Sequence, residues 1–93
     1  ECVKAFVSAL EAIQYCLQID EYEELDTILN NLKEFAAASY NQSCYSSDKD
    51  TMIATDFEIR KSPKFVLIKD RYEDAIRVYN MFPKCIINDK KHE

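Results

Sequence analysis

The sequence predicts an all-α domain: a small antiparallel bundle of three long helices plus a short helix or extended link, stapled by two disulfides. Three observations predict this class. The chain has no glycine, a residue that tight two-residue hairpins favour, so a sheet built of hairpins is disfavoured. Apolar residues recur at steps of three and four in three stretches. Four cysteines in 93 residues are typical of a small domain whose core needs covalent support.

The first predicted helix covers residues 2–17 and has a wide apolar face. One half of that face consists of small side chains: Cys2, Ala5, Ala9, Ala12 and Cys16. The other half consists of large side chains: Val3, Phe6, Leu10, Ile13 and Leu17. A cysteine stands at each end of the small half. Val7 and Tyr15 fall on the opposite, otherwise polar side of the helix.

The second predicted helix covers residues 20–40. Asp20 followed by Glu23 is typical of a capping box, and acidic residues suit the positive end of the helix dipole. The core stripe is then predicted to be Tyr22, Leu25, Leu29, Leu32 and Ala36. The connection from the first helix is very short, so the two helices should be antiparallel neighbours.

Residues 41–50 are polar and predict a loop, in which Asn41 begins an N-glycosylation pattern. Residues 51–60 are ambiguous between helix and strand. We expect a short helix over 48–56 followed by an extended link, with Met52, Ile53 and Phe57 facing the core.

The last long helix is predicted to begin at Ser62, as N-cap, with Pro63 at the first helical position. Pro83 should end it. Its core stripe is predicted to be Phe65, Ile68, Tyr72, Ala75, Ile76, Tyr79 and Phe82. Residues 1–93 form a single domain in this interpretation, with a frayed tail at 88–93.

Four cysteines allow three pairings, and the predicted helix directions favour one of them. If residues 46–62 stay at the end where the second helix finishes, the last helix runs parallel to the first. Cys44 then meets Cys2, and Cys85 meets Cys16. The alternative is a reduced intracellular protein in which the cysteines are small core residues.

Charge is unevenly distributed along the chain. Residues 1–45 carry a net charge of −6 and residues 46–93 a net charge of +1. An acidic surface repels phosphate and anionic lipid, so nucleic-acid and membrane-surface roles are disfavoured. The acidic residues 20–26 suit a basic partner, or they simply complement a helix start.

The residues needed for common catalytic chemistry are missing, so we do not expect an enzyme. The one histidine, His92, lies in the tail, which leaves serine and cysteine nucleophiles without a base. No metal-ligand spacing and no phosphate-binding glycine loop occur, so no metal or cofactor is expected. No apolar run approaches the ~20 residues needed to cross a bilayer, and the start at Glu1 suggests a mature or trimmed product.

Protein binding is the remaining class. Apolar residues on the wrong side of their helices predict a partner surface, whose candidates are Val7, Tyr15, Leu67, Val78 and Met81, with Glu23 and Glu24 beside it. Alternatively, residues 46–62 pack over one of these sets. A third possibility is that the aromatic residues line a cavity for a small apolar ligand.

Two resemblances bear on function. The segment containing Tyr72, Ala75, Tyr79 and Pro83 resembles the second helix of a tetratricopeptide unit, which implies an intracellular adaptor. In size, lack of glycine and the spacing of Cys2, Cys16, Cys44 and Cys85, the whole chain resembles small all-helical, two-disulfide secreted effectors of saliva and venom. These include mosquito salivary inhibitors of host complement and contact pathways. This second resemblance implies a secreted, monomeric, non-catalytic inhibitor of a host protein.

Overall fold

Four helices form the protein in the computed structural model, which describes residues 2–40 and 42–87, without the side chain of Cys2. The helices are α1 (Cys2–Ile19), α2 (Tyr22–Ala38), α3 (Ser46–Lys61) and α4 (Lys69–Met81), and a 3₁₀ helix covers Phe65–Leu67. Two short strands, β1 (Cys44–Tyr45) and β2 (Ile86–Ile87), pair in parallel. The all-α class is confirmed; the bundle of three long helices is not, because the segment predicted as a short helix or extended link contains the 16-residue helix α3.

The helices alternate in direction along the chain. One end of the molecule, here called the upper end, contains the turn between α1 and α2 and the connection between α3 and α4. Arg71 at the start of α4 binds Asp26 at the start of α2 there, so α2 and α4 run the same way. At the lower end, Phe6 near the start of α1 stacks on Tyr79 near the end of α4, with ring centroids 4.5 Å apart. Hence α1 and α4 are antiparallel.

The turn between α1 and α2 depends on Asp20. Its backbone has a φ of 62°, the left-handed conformation that usually ends a helix at glycine. The amide of Glu21 donates a hydrogen bond to the carbonyl of Cys16 at 3.0 Å, which closes the last turn of α1. In a chain without glycine, aspartate fills the position because its short side chain tolerates this conformation. The predicted capping box is wrong: α2 begins after Glu21 without a side-chain cap.

Helix α3 replaces the predicted short helix and extended link. Its first turn contains Asp48 and its last turn contains Arg60 and Lys61, charges that suit the two ends of a helix dipole. Only Thr55 and Ile59 of its residues are fully buried. Ile53 and Phe57, which were expected to face the core, are exposed. Because the buried face is so narrow, the apolar periodicity was too weak to predict the whole helix.

The last long helix begins later than predicted. Ser62 ends α3 and accepts a hydrogen bond from the amide of Lys64 at 3.2 Å, so it caps a short turn. The 3₁₀ helix follows, and α4 starts only at Lys69. As predicted, the helix stops before Pro83; Phe82 is extended, as a residue before proline prefers.

The main core lies between all four helices. Its fully buried large side chains are Phe6, Leu10, Ile13, Leu32, Ile59 and Tyr72. A second, smaller cluster lies at the lower end, where Val3 and Val7 of α1 pack against Cys44, with Met52 of α3 against them. This small cluster ties β1 to the start of α1.

The direction of α4 changes the arrangement of the cysteines. Because α3 crosses from the lower end to the upper end, α4 runs down and brings Cys85 to the lower end. There the amide of Cys44 donates a hydrogen bond to the carbonyl of Cys85 at 2.8 Å. Cys16 lies three residues before the upper end of α1. The predicted pairing of Cys16 with Cys85 is therefore wrong.

The thiols of Cys16, Cys44 and Cys85 are free in the structure. The predicted pairing of Cys2 with Cys44 involves a side chain outside the described residues, and it stays a prediction. α1 nevertheless begins at Cys2, at the end of the molecule where Cys44 is buried. The predicted glycosylation at Asn41 and the predicted frayed tail at 88–93 also lie outside the described residues.

Candidate protein-binding surface

The two candidates on the polar side of α1 have different environments. Val7 is buried, because β1 and Met52 of α3 cover it. Its prediction as a binding residue is therefore wrong. Tyr15 is 61% exposed, near the upper end of the same helix. Ile19 follows one helical turn later and is 50% exposed, so the two side chains form one apolar strip.

Acidic residues of α2 lie beside this strip. Glu23 and Glu24 are exposed in the first turn of α2, as predicted. The pKa of the Cys16 thiol is raised by burial first, and then by the negative charges of Glu24 and Glu21. Glu21 follows the α1–α2 turn directly and Glu24 is in the first turn of α2, so both carboxylates lie at the end of the molecule that carries Tyr15. No described basic residue forms an ion pair with Glu21, Glu23 or Glu24.

The three candidates of the last helical segment are not together. Leu67 is exposed at the upper end, in the 3₁₀ helix that precedes α4. Val78 is half-buried and packs against the main core. Met81 is exposed at the lower end, at the last position of α4. Of these candidates, only Leu67 shares the upper end with Tyr15.

Sequence reasoning missed three exposed apolar residues at the upper end. They are Ile19, Tyr22 and Val66. Tyr22, which is predicted to belong to the core stripe of α2, is the first residue of that helix and is 44% exposed. Ile19 lies four residues after Tyr15, and that spacing was the available clue to a shared face. Val66 belongs to the unpredicted 3₁₀ helix.

The two loops of the upper end are linked through Lys64. Its ammonium group binds the carboxylate of Asp20 and lies 6.0 Å from the ring centre of Tyr22. The hydroxyl of Tyr22 donates a hydrogen bond to Asp20 at 3.0 Å. These contacts hold the α1–α2 turn against the α3–α4 connection, so exposed residues from both loops form one surface.

A polar cluster below this surface fixes the α3–α4 connection. Arg60 binds Asp56 at 3.0 Å and Glu73 at 2.8 Å, and its guanidinium lies over the rings of Phe65 and Tyr72. The guanidinium group therefore makes both ionic and aromatic contacts. It therefore positions the segment that carries Val66 and Leu67.

The grooves of the described surface are small and open. One of about 290 Å³ runs between the end of α1 and the residues that follow α3, including Gln18, Lys61 and Lys64. Pockets that enclose a small molecule usually measure roughly 300–1,000 Å³ and cover most of it. This geometry gives no support to the alternative of a carrier for an apolar ligand.

Metal binding and membrane spanning are two other functional classes on which the described residues bear. Among the described residues, no group of three or more histidine, cysteine, aspartate or glutamate side chains is placed to hold a metal ion. Within the same part of the chain, none of the helices combines the length and the apolar character needed to span a membrane.

Comparisons with protein-family models, with curated proteins and with solved structures each found no match for this chain. The exposed apolar residues of the upper end form what is here called the upper-end surface: Tyr15, Ile19, Tyr22, Val66 and Leu67. What it offers is an exposed aromatic and aliphatic strip beside unpaired carboxylates, which suits contact with another protein.

Proposed function

We propose that the protein is a secreted, non-catalytic effector that binds an extracellular or host protein and inhibits it. The observation that carries the proposal is the corner surface, which we define as Tyr15, Ile19, Glu21 and Glu24. Exposed aromatic anchors near the centre of an apolar patch are typical hot spots of protein interfaces. The unpaired glutamates beside this anchor favour a partner with lysine or arginine at its surface.

Secretion is part of the proposal and is argued from the four cysteines of a short chain. Disulfides form in extracellular proteins and are rare in the cytosol. The Cys44 thiol is free in the structure but lies buried at the end of the molecule where α1 begins with Cys2, and the proposal is that these two cysteines form one disulfide in the secreted protein. An intracellular adaptor of the tetratricopeptide-like kind, the alternative, would keep all four thiols reduced.

Partner capture tests the proposal. The purified protein is immobilised and exposed to serum or plasma, and bound proteins are identified by mass spectrometry and their affinity is then measured. Tyr15→Ala should weaken binding of the captured partner by about 30-fold or more, equivalent to ~2 kcal/mol. Tyr45→Ala is the matched control, because Tyr45 is 50% exposed at the lower end.

Inhibition is tested separately by adding the protein to serum complement lysis and plasma clotting assays. The unmodified protein and Tyr45→Ala should slow one of these reactions, whereas Tyr15→Ala should not. Equal capture and equal inhibition by Tyr15→Ala and the unmodified protein would rule out the corner surface. If the melting temperature of Tyr15→Ala were also much lower than that of the unmodified protein, Tyr15 would have a structural role instead.

A further inference from the structure

A cleft next to the corner surface has the size of a single side chain. It has a volume of about 180 Å³ and opens to solvent between the start of α2 and the 3₁₀ helix. Its apolar lining consists of Tyr22, Leu25, Leu29, Leu67 and Ile68. This volume is too small for most free ligands, whose pockets measure roughly 300–1,000 Å³.

The two lips of the cleft are exposed apolar groups. Tyr22 from α2 is 44% exposed and Leu67 from the 3₁₀ helix is 63% exposed. Below them Leu25 and Ile68 are buried in the main core. An apolar side chain entering the cleft would therefore cover the exposed parts of both lips and touch the core at its base, which is the usual form of an anchor pocket.

The charged residues that line the cleft are paired with each other, and two unpaired acids lie close to them along the chain. Arg71, which lines it, is bound to Asp26 at 2.7 Å, and Lys64 is bound to Asp20. Glu23 lies one turn before Asp26 on α2, and Asp70 lies in the first turn of α4. Both are exposed, and no described base forms an ion pair with either of them. Lys69 is the exposed base that remains nearby, and the acids of the upper end outnumber the bases.

From this geometry we infer that the cleft is an anchor site for one leucine- or phenylalanine-sized side chain of the partner, with lysine or arginine residues on either side of it in the partner's sequence. The inference rests on the proposed function and specifies the partner's chemistry. A second copy of this chain fits poorly, because two acidic upper ends would repel each other. An anionic lipid surface is disfavoured for the same reason.

The test uses a synthetic pentapeptide, Arg-Lys-Leu-Lys-Arg with blocked ends, titrated into the ¹⁵N-labelled protein and followed by NMR. Amide resonances of Tyr22, Leu29 and Leu67 should shift in a saturable manner. Two peptides are controls: one has serine in place of leucine and keeps the charges, and the other has glutamate in place of lysine and arginine and keeps the leucine. Both should bind about tenfold more weakly or worse.

A pair of variants separates the cleft from general surface charge. Leu67→Arg should weaken peptide binding by about tenfold or more, since it fills the cleft with a cation. Val66→Arg adds the same charge at the neighbouring position, which is 74% exposed and does not line the cleft. It should change the affinity much less. Circular dichroism should show the same melting temperature for both variants.

Three results would overturn the inference: equal binding of the serine peptide, shifts located away from the cleft, or equal effects of Leu67→Arg and Val66→Arg. Partner capture that still depends on Tyr15 while the peptide fails would leave the proposed function in place and remove only the anchor site. If the peptide bound but partner capture did not depend on Tyr15, the anchor site would stand and the proposed function would be removed.

Discussion

The hydroxyl of Tyr72 donates a hydrogen bond to the carboxylate of Asp56 at 2.5 Å, and this bond joins α4 to α3 across the edge of the core. Tyr72 is fully buried, and its ring meets Phe65 edge-on with centroids 5.6 Å apart. Asp56 also binds Arg60, so the tyrosine is the buried end of the polar cluster. The α3–α4 connection, and with it one half of the upper-end surface, depends on this contact.

Removing the hydroxyl of Tyr72 should destabilise the protein. Tyr72→Phe keeps the ring but leaves the half-buried carboxylate of Asp56 without one donor. Hydrogen bonds to charged groups contribute about 1.5–3 kcal/mol, so urea denaturation should show a loss in that range. Tyr45→Phe, at an exposed position, should stay within about 0.5 kcal/mol of the unmodified protein. Equal stability of the two variants would contradict the structural role of the bond.

Stability should fall in alkaline solution. Burial, followed by the hydrogen bond to Asp56, raises the pKa of Tyr72; burial, followed by Cys44, raises the pKa of Tyr79 to about 12. The unfolded chain releases these protons near the ordinary tyrosine pKa of about 10. Stability is therefore fully present below pH ~10 and is lost as the pH rises towards ~12.

Urea denaturation at neutral pH and at pH about 10.5 checks this expectation. At neutral pH, Tyr72→Phe should be less stable than the unmodified protein. Its free energy of unfolding should fall less at the higher pH, because the phenol proton of Tyr72 is no longer there to be released. A parallel loss in the variant and the unmodified protein would show that other groups cause the alkaline unfolding.

The core can be tested by one cavity-forming change. Leu10 is fully buried near the middle of α1, and Leu10→Ala should cost about 2–5 kcal/mol. Ser8→Ala, at an exposed position of the same helix, should cost less than about 0.5 kcal/mol. Thermal and urea unfolding of the two variants give the comparison. Similar stability of both would mean that α1 is not the centre of the core.

The sequence predicted α1 and α2 well because each has a continuous stripe of buried residues. It predicted only residues 48–56 of α3 as helix; in the structure Thr55 and Ile59 are buried while Ile53 and Phe57 face solvent. A helix that packs through so narrow a face leaves little periodic pattern. The position of α3 depends on tertiary contacts, such as the packing of Met52 near Val7, and on polar contacts with α4.

The underestimated length of α3 explains the other errors. Because residues 46–62 were expected to stay at one end of the molecule, the predicted direction of α4 was wrong, and Cys85 was predicted to lie beside Cys16. Val7 and Tyr15 looked alike in the sequence, since both interrupt the polar side of α1. Only the path of α3 and β1 separates them, because it covers Val7 and leaves Tyr15 exposed. The sequence could therefore predict which kinds of residue form the candidate surface, but not which of the candidate residues belong to it.

The redox state gives a further prediction. Mass spectrometry of the non-reduced protein should show one disulfide, joining Cys2 to Cys44, and free thiols at Cys16 and Cys85. Closing that loop should stabilise the fold by about 3–4 kcal/mol. Exposed Cys85 should react rapidly with an alkylating agent, and buried Cys16 only after unfolding. Four free thiols would contradict secretion, and a Cys44–Cys85 link would show that the neighbouring strands are joined instead.

The unpaired carboxylates at the start of α2 should act mainly on the rate of partner association. Reversing the charge of Glu23 and Glu24 together to lysine removes the negative field beside Tyr15, so the association rate constant should fall much more than the dissociation rate constant rises. Added salt should slow the unmodified protein in the same way, because exposed charges are screened beyond about 8–10 Å at physiological ionic strength.

Glu34→Lys is a control for net charge, with one reversed charge instead of two. Glu34 is exposed on the same helix, and ten residues separate it from Glu24, which is about 15 Å along the axis. Its reversal should leave the association rate close to that of the unmodified protein. Surface plasmon resonance with the captured partner measures both rate constants at low and high salt. If Glu34→Lys slowed association as strongly as the double reversal, net charge would explain the effect, and the partner would not be recognised through the acidic start of α2.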